Sequence, residues 1–217
     1  MSSKLIKMMP VKWKKIIKNI LYFFKKLIFF LILKIETKIR SNYKIIIGAG
    51  GTNYSGWIPT DQISIDLLNN YSFSKFFKKS SISNILAEHV FEHLDFQQGV
   101  IAINNCYEYL EAGGSIRIAV PDGNFPNEDY IKHVKPNGTG LGAMDHKILY
   151  TYDTIVKLFD KKKFSINLIE YFKENGEFIQ SYNEEKNGYI MRSRNNDHRN
   201  TENTINYTSI IVDAIKI

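Results

Sequence analysis

Residues 43–51 read Tyr-Lys-Ile-Ile-Ile-Gly-Ala-Gly-Gly, a β-branched run that stops at a cluster of glycines. The run predicts a short buried strand, and the glycines predict a tight turn directly after it. A backbone without Cβ atoms allows close approach of a ligand, so this pattern is typical of a nucleotide-type site in an α/β sheet. Glycine-rich turns are also common without a ligand, and the segment alone does not separate the two cases.

Two carboxylates follow the glycine turn. Residues 57–61 and 63–66 each form a short, mostly apolar segment, and the segments end at Asp61 and Asp66. An acidic side chain at the carboxyl end of a strand can accept hydrogen bonds from both hydroxyls of a ribose. The alternative is a turn or helix-cap aspartate, which the spacing does not exclude.

The remaining pattern alternates strands and helices. We predict strands over residues 83–87, 116–120, 164–172 and 209–217, and helices over residues 97–110 and 151–161, the first ended by Gly113 and Gly114. The single cysteine, Cys106, lies at helical spacing among apolar residues and is predicted to be core, which excludes a disulfide framework. This order predicts an open α/β sheet with helical crossovers.

Four segments together resemble the class I S-adenosylmethionine-dependent methyltransferases. They are Ile46-Ile-Gly-Ala-Gly-Gly-Thr, Gly56-Trp-Ile-Pro-Thr-Asp61, Ala87-Glu-His-Val-Phe-Glu-His-Leu94 and Tyr109-Leu-Glu-Ala-Gly-Gly-Ser-Ile-Arg-Ile-Ala-Val-Pro-Asp122. The chain is most similar to a subgroup often associated with surface-polysaccharide genes. The resemblance covers about residues 43–217. It implies a Rossmann-like α/β fold, with a seven-stranded, mostly parallel sheet, one antiparallel edge strand and helices on both faces.

The resemblance also implies an enzyme that uses S-adenosylmethionine, with a sugar or glycan precursor as the expected acceptor. Carried over by position, Gly48 and Gly50 line the methionine and ribose, while Asp61 holds the ribose hydroxyls and Asp66 lies near the adenine. Ala87 and Glu88 flank the sulfonium. The expected acceptor-site residues are Asp122 and four from the insertion before the last strand, residues 174–207: Arg192, Arg194, Asp197 and Arg199. A solvated surface loop is the alternative for that insertion.

A histidine cluster follows the third predicted strand. If residues 88–94 are helical, His89, Glu92 and His93 share one face. The His-x-x-Glu-His spacing resembles the Glu-x-x-Glu-His metal motif of some ubiquinone-pathway and small-RNA methyltransferases. That similarity makes the three residues candidate ligands of a divalent metal such as zinc, iron or manganese. Acid–base catalysis by Glu92, His93 or His146, and a purely structural role, remain open alternatives.

Two other functions compete with methyl transfer. A catalytically idle relative could serve as a scaffold or partner-binding protein. A nicotinamide-dependent sugar epimerase or reductase would need a Tyr-x-x-x-Lys pair after the middle of the domain. The match at residues 71–75 lies too close to the glycines.

The charge is concentrated in an N-terminal arm. The formal net charge of the 217 residues is +7, yet residues 1–40 hold 11 lysines and arginines against a single acid, Glu36. The rest of the chain is mildly acidic, which argues against a nucleic-acid-binding domain. We therefore divide the chain into a basic arm, residues 1–41, and a methyltransferase domain, residues 42–217.

The arm predicts one long helix from Val11 to Ile39, since no glycine or proline interrupts it after Pro10. Six lysines fall within about half of its circumference, with apolar residues on the opposite side. They are Lys12, Lys14, Lys15, Lys18, Lys25 and Lys26. We expect a peripheral protein on an anionic membrane at its cytoplasmic face. A helix packed on the body and a membrane-spanning helix are the alternatives.

Overall fold

The computed structural model describes residues 11–39, 42–181 and 187–217. Seven strands form one sheet in the order β2-β1-β3-β4-β7-β5-β6. Strand β1 is parallel to β2 and β3, and β3 is parallel to β4, whereas β7 and β6 run antiparallel to their neighbours. The strands are β1 (Tyr43–Ile47), β2 (Ile58–Pro59), β3 (Ile82–Glu88), β4 (Leu110–Pro121), β5 (Phe164–Phe172), β6 (Phe178–Gln180) and β7 (Ser209–Lys216).

This topology confirms the predicted Rossmann-like α/β fold with a seven-stranded, mostly parallel sheet. Strand β6 is the antiparallel edge strand, and β7 is a second antiparallel strand that lies inside the sheet between β4 and β5. The helices are α1 (Val11–Ile39), α2 (Asn70–Ser74), α3 (Phe96–Tyr109), α4 (Glu128–Val134) and α5 (Tyr152–Ile155), with 3-10 turns at Phe91–His93, Ala143–Asp145 and Val156–Leu158. Within the described ranges, no helix combines the length and apolarity that crossing a membrane requires.

The two faces of the sheet are covered differently. Alternate strand residues such as Ile45, Ile85 and Ala87 join the main core, which α3 covers with Ala102 and Ile103. The residues between them face the opposite way. This second face, which includes Ile46 and Leu86, is covered by Trp57 and Ile190 from irregular segments. Residues 48–57 between β1 and β2 are too short for a helical crossover, so an irregular segment covers this face next to β1.

Residues 62–64 form a turn, and Ile65 N–H donates to the Asp61 carbonyl. Two local predictions were wrong. Helix α3 ends at Tyr109, and Gly113 and Gly114 lie inside β4, next to a register irregularity opposite Ile82 and Asn84. The helix predicted over residues 151–161 is reduced to α5 and one 3-10 turn.

Candidate active site

The glycine turn opens a site at the carboxyl end of β1. Gly48 and Gly50 have φ values of +62° and +59°, a conformation that favours glycine. A Cβ on Gly48 would lie 2.6 Å from Cγ2 of Val90, so this position also requires glycine for space. The turn is tied to β2, because Ala49 N–H donates to the Thr60 carbonyl over 2.8 Å. The predicted site glycines therefore shape a fixed, open backbone.

Two clefts meet at this turn, where β1 lies between β2 and β3 and the parallel strands present their carboxyl ends. The glycine cleft, about 430 Å³, is lined by Gly48–Thr52, Glu88, Met191 and Arg192 among others. The acidic cleft, about 440 Å³, is lined by Asp61, Asp66, His93, Gln98 and Lys147 among others. Three residues line both clefts: Ile47, Gly48 and His89. The clefts therefore form one elongated site.

The two predicted carboxylates lie in the acidic cleft. One oxygen of Asp61 accepts a hydrogen bond from Gln62 N–H at 2.7 Å, and one oxygen of Asp66 accepts from Leu68 N–H at 3.0 Å. Both side chains therefore stabilise turns and also line the cleft wall. The structural and binding interpretations of these aspartates are compatible.

Glu88 joins the insertion to the sheet. Its carboxylate accepts hydrogen bonds from the backbone N–H groups of Met191 and Arg192, at 3.1 and 2.9 Å, and lies 3.3 Å from the Arg192 guanidinium. Burial raises the pKa of Glu88, while these donors act in the opposite direction. Arg192 thereby forms part of the glycine cleft wall.

His89 is a fixed part of the site. It adopts φ +54°, so residues 88–94 do not form the predicted helix, and only Phe91–His93 form a 3-10 turn. The Ser209 hydroxyl donates to the Arg192 carbonyl at 2.8 Å and faces His89 Nε2 at 3.1 Å. The Ser209 hydroxyl donates its one proton to the Arg192 carbonyl. The hydrogen between Ser209 and His89 is therefore on His89 Nε2. Burial also lowers the pKa of His89 well below its usual value, which keeps the ring neutral.

Glu92 carries a buried carboxyl group next to His89. Its residue is 1% exposed, and neither carboxyl oxygen forms a hydrogen bond with a described residue, although His89 Nδ1 lies 3.2 Å from Oε1. Burial raises its pKa to about 8. The group is therefore protonated at neutral pH in the protein alone.

Glu92, His93 and His146 form a set that fits a divalent cation. Their ligand atoms all lie within 4.8 Å of one another. His146 Nδ1 donates to the Val134 carbonyl at 2.7 Å, which leaves Nε2 with a free lone pair 4.0 Å from Glu92 Oε1. The third candidate ligand in the structure is therefore His146, whereas the sequence predicted His89.

Several predicted site residues lie outside the clefts. Ala87 faces the helix-covered core, on the opposite side of the sheet from Leu86 and Glu88, and its expected place beside the sulfonium stays a prediction. Asp122 is fully buried and accepts hydrogen bonds from Asn124 and Phe172 N–H groups, and burial raises its pKa to about 6. These hydrogen bonds stabilise the end of β4, and the expected contact of Asp122 with the acceptor stays a prediction.

Of the four predicted acceptor-site residues in the insertion, some line a cleft and others do not. Arg192 lines the glycine cleft, whereas Arg194 donates to the Glu202 carbonyl and lines neither cleft among the described residues. Asp197 pairs with Arg199, whose guanidinium lies 3.4 Å from the ring centroid of Tyr207. The pair thus lies close to His89, since Tyr207 stacks on the His89 ring at a centroid distance of 6.2 Å.

Sequence reasoning assigned no role to several residues of the site. Val90 is the close neighbour of Gly48, and Ser209 fixes the His89 ring. Lys147 lines the acidic cleft and donates to Gln98 Oε1 at 2.8 Å. Lys147 follows directly after His146 in the sequence, and this position is the one signal that could have marked it as a residue of the site.

No family model matches the chain, and no curated protein matches it. Several solved structures are similar to the chain. One is a methyltransferase from Thermotoga maritima described as a possible histamine N-methyltransferase, with 13% identity, coverage of 93% of this chain and 95% of that chain, and a TM-score of 0.48. Another is an S-adenosylmethionine-dependent methyltransferase from Archaeoglobus fulgidus, with 13% identity, coverage of 88% and 93%, and a TM-score of 0.44. A putative methyltransferase from Listeria monocytogenes has 12% identity, coverage of 85% and 98%, and a TM-score of 0.43. The fold assigned here rests on the strand order of the sheet itself.

Proposed function

We propose that the protein is an S-adenosylmethionine-dependent methyltransferase that O-methylates a sugar or glycan precursor at a membrane surface. The observation that carries the proposal is the elongated site at the carboxyl ends of β1, β2 and β3. It joins a glycine turn, two carboxylates and a histidine cluster. In open α/β sheets, ligands bind in this position.

The residues present fit S-adenosylmethionine. Gly48 and Gly50 leave the floor free of side chains, and a Cβ at Gly48 would already clash with Val90. Asp61 and Asp66 offer acceptors for hydroxyl and amino groups at the acidic end, while Arg192 offers a cation for a carboxylate at the other end. When bound, the cofactor supplies a methyl group on a sulfonium, which a nucleophile accepts by direct in-line displacement.

His93 is the residue we propose to accept the proton of the acceptor hydroxyl. It lines the acidic cleft, whereas Glu92 and His146 lie behind it and are almost inaccessible. The His146 ring meets the His93 ring edge-on at a centroid distance of 4.8 Å and is itself held by the Val134 carbonyl. His146 and Glu92 are therefore positioning residues, and His93 is the candidate general base.

The acceptor class is supported by resemblance and by the polar wall of the site. Lys147 lines the same cleft as His93, the proposed general base, and an ammonium group hydrogen-bonds sugar hydroxyls or phosphates well. A glycan precursor carries several hydroxyls that could take the methyl group.

A labelled-methyl transfer screen tests the proposal. We expect transfer from S-adenosylmethionine to at least one nucleotide sugar or lipid-linked glycan. The His93→Ala variant should lose about 10²–10⁴-fold in rate while its affinity for S-adenosylhomocysteine is unchanged. Exposed His133 on α4 provides the control variant His133→Ala, which should keep full activity. Transfer only to small amines, or full activity of His93→Ala, would contradict the proposal.

A further inference from the structure

Helix α1 contacts the body through one side of its C-terminal third. Leu33 is 3% exposed and belongs to the main core. The Phe30 ring packs on Phe76 at a centroid distance of 5.2 Å, and Lys34 Nζ donates to the Lys75 carbonyl. The Thr37 carbonyl accepts a hydrogen bond from the Tyr43 hydroxyl at 2.8 Å. These contacts fix the orientation of the helix on the body.

The apolar stripe of α1 does not face this contact. At about 100° per residue, each stripe residue lies at least about 120° around the axis from Leu33. These residues are between 43% and 57% exposed. They define the outward stripe: Trp13, Ile20, Phe24, Leu27, Leu31 and Ile35. The C-terminal third of α1 therefore packs on the body, as one alternative expected, while the described side chains of this face do not.

The outward stripe is too long and continuous to be an incidental exposure. From Trp13 to Ile35 it extends over roughly 33 Å of helix, at about 1.5 Å per residue. Contiguous apolar surface of this kind usually marks an interaction site. The described chain thus presents an apolar surface that needs a partner.

The positive charge of the arm favours a lipid surface over a second copy of the chain as the partner of the outward stripe. Residues 1–40 carry 11 lysines and arginines against one acid, so a second copy of the chain would bring two strongly basic segments together. By sequence position, six lysines occupy the half of the helix that also contains Leu33. They are Lys12, Lys14, Lys15, Lys18, Lys25 and Lys26, whose side chains lie outside the described set. The outward stripe can therefore lie in a lipid surface while the lysines and the body remain on its aqueous side.

We propose that the outward stripe of α1 is a binding surface for an anionic lipid bilayer, with α1 parallel to the membrane plane. The inference deepens the proposed function, because it names the surface that would hold the enzyme beside a membrane-linked acceptor. Apolar burial supplies a salt-insensitive part of the binding, and the basic residues supply a salt-sensitive part.

Sedimentation of the full chain with vesicles tests the inference. We expect binding to phosphatidylcholine vesicles that contain about 30% phosphatidylglycerol, weaker binding in about 0.5 M salt, and little binding to phosphatidylcholine alone. The triple variant Ile20→Ser, Phe24→Ser, Leu31→Ser should bind at least about a hundredfold more weakly.

The matched control is the pair Leu141→Ser and Met144→Ser, two exposed apolar residues of the body, and it should bind like the wild type. Cooperative thermal unfolding of each variant shows that it is folded. Equal vesicle binding by the triple variant, or no binding by the wild type, would overturn the inference. Dimerisation without vesicles that the triple variant abolishes would also overturn it, since a second copy would then cover the stripe. Vesicle binding is measured without cofactor or acceptor, so failure of methyl transfer would not affect this result.

Discussion

The buried carboxyl of Glu92 makes stability depend on pH in a defined direction. Its pKa is about 8 in the folded protein, against 4.5 for an unperturbed glutamate. Between these values the folded state binds the proton more tightly than the unfolded state, so the free energy of unfolding falls as the pH rises through this window. A difference of about 3.5 pKa units corresponds to roughly 5 kcal/mol above pH 8, at about 1.4 kcal/mol per unit. The Glu92→Gln variant cannot ionise and escapes this loss.

Urea denaturation of both proteins near pH 5 and pH 9, in the presence of a chelator, measures the effect. We expect the stability of Glu92→Gln relative to the wild type to rise by roughly 3–5 kcal/mol between the two pH values. Exposed Glu111 provides the control Glu111→Gln, whose relative stability should change little. A pH-independent difference between Glu92→Gln and the wild type would refute the reasoning, because the carboxyl would then be equally ionised in both states.

Two further predictions concern ligands. Asp61→Ala should stay folded but bind S-adenosylhomocysteine about 10–100-fold more weakly in a calorimetric titration, since the ribose loses a charged acceptor worth about 1.5–3 kcal/mol. The exposed Asp129→Ala is its control, and unchanged affinity of the Asp61 variant would leave Asp61 only a turn residue. Zinc or manganese should raise the thermal midpoint of the wild type, more above pH 8 than at pH 6, because the cation must displace the proton of Glu92. The bound cation should also inhibit methyl transfer, because it would occupy the His93 nitrogen that accepts the proton. The rise should be absent in Glu92→Gln and His146→Ala, and an equal rise in these variants would place the metal elsewhere.

The elements that the sequence predicted well are those with a strong local signal. Helix α1 follows directly from a long stretch without glycine after Pro10, and β5 from an apolar run over residues 164–172. The side by which α1 packs on the body was not predictable. Leu33 and Phe30 differ from their apolar neighbours only through their contacts with the folded domain.

The candidate site likewise contains features that the sequence predicts and features that it does not. The glycine turn and Asp61 carry a pattern in the sequence, and they line the predicted cleft. The helix over residues 88–94 was wrong because His89 adopts positive φ, held by a contact with Ser209, which lies 120 positions away. The role of His146 beside Glu92 likewise depends on tertiary contacts that periodicity cannot reveal.

Calorimetric titration of the full chain with S-adenosylhomocysteine tests the central claim most directly. The glycine and acidic clefts together predict saturable binding of one molecule per chain, competed by S-adenosylmethionine. The absence of binding to a protein that unfolds cooperatively would contradict the assignment of the site and, with it, the proposed methyl transfer.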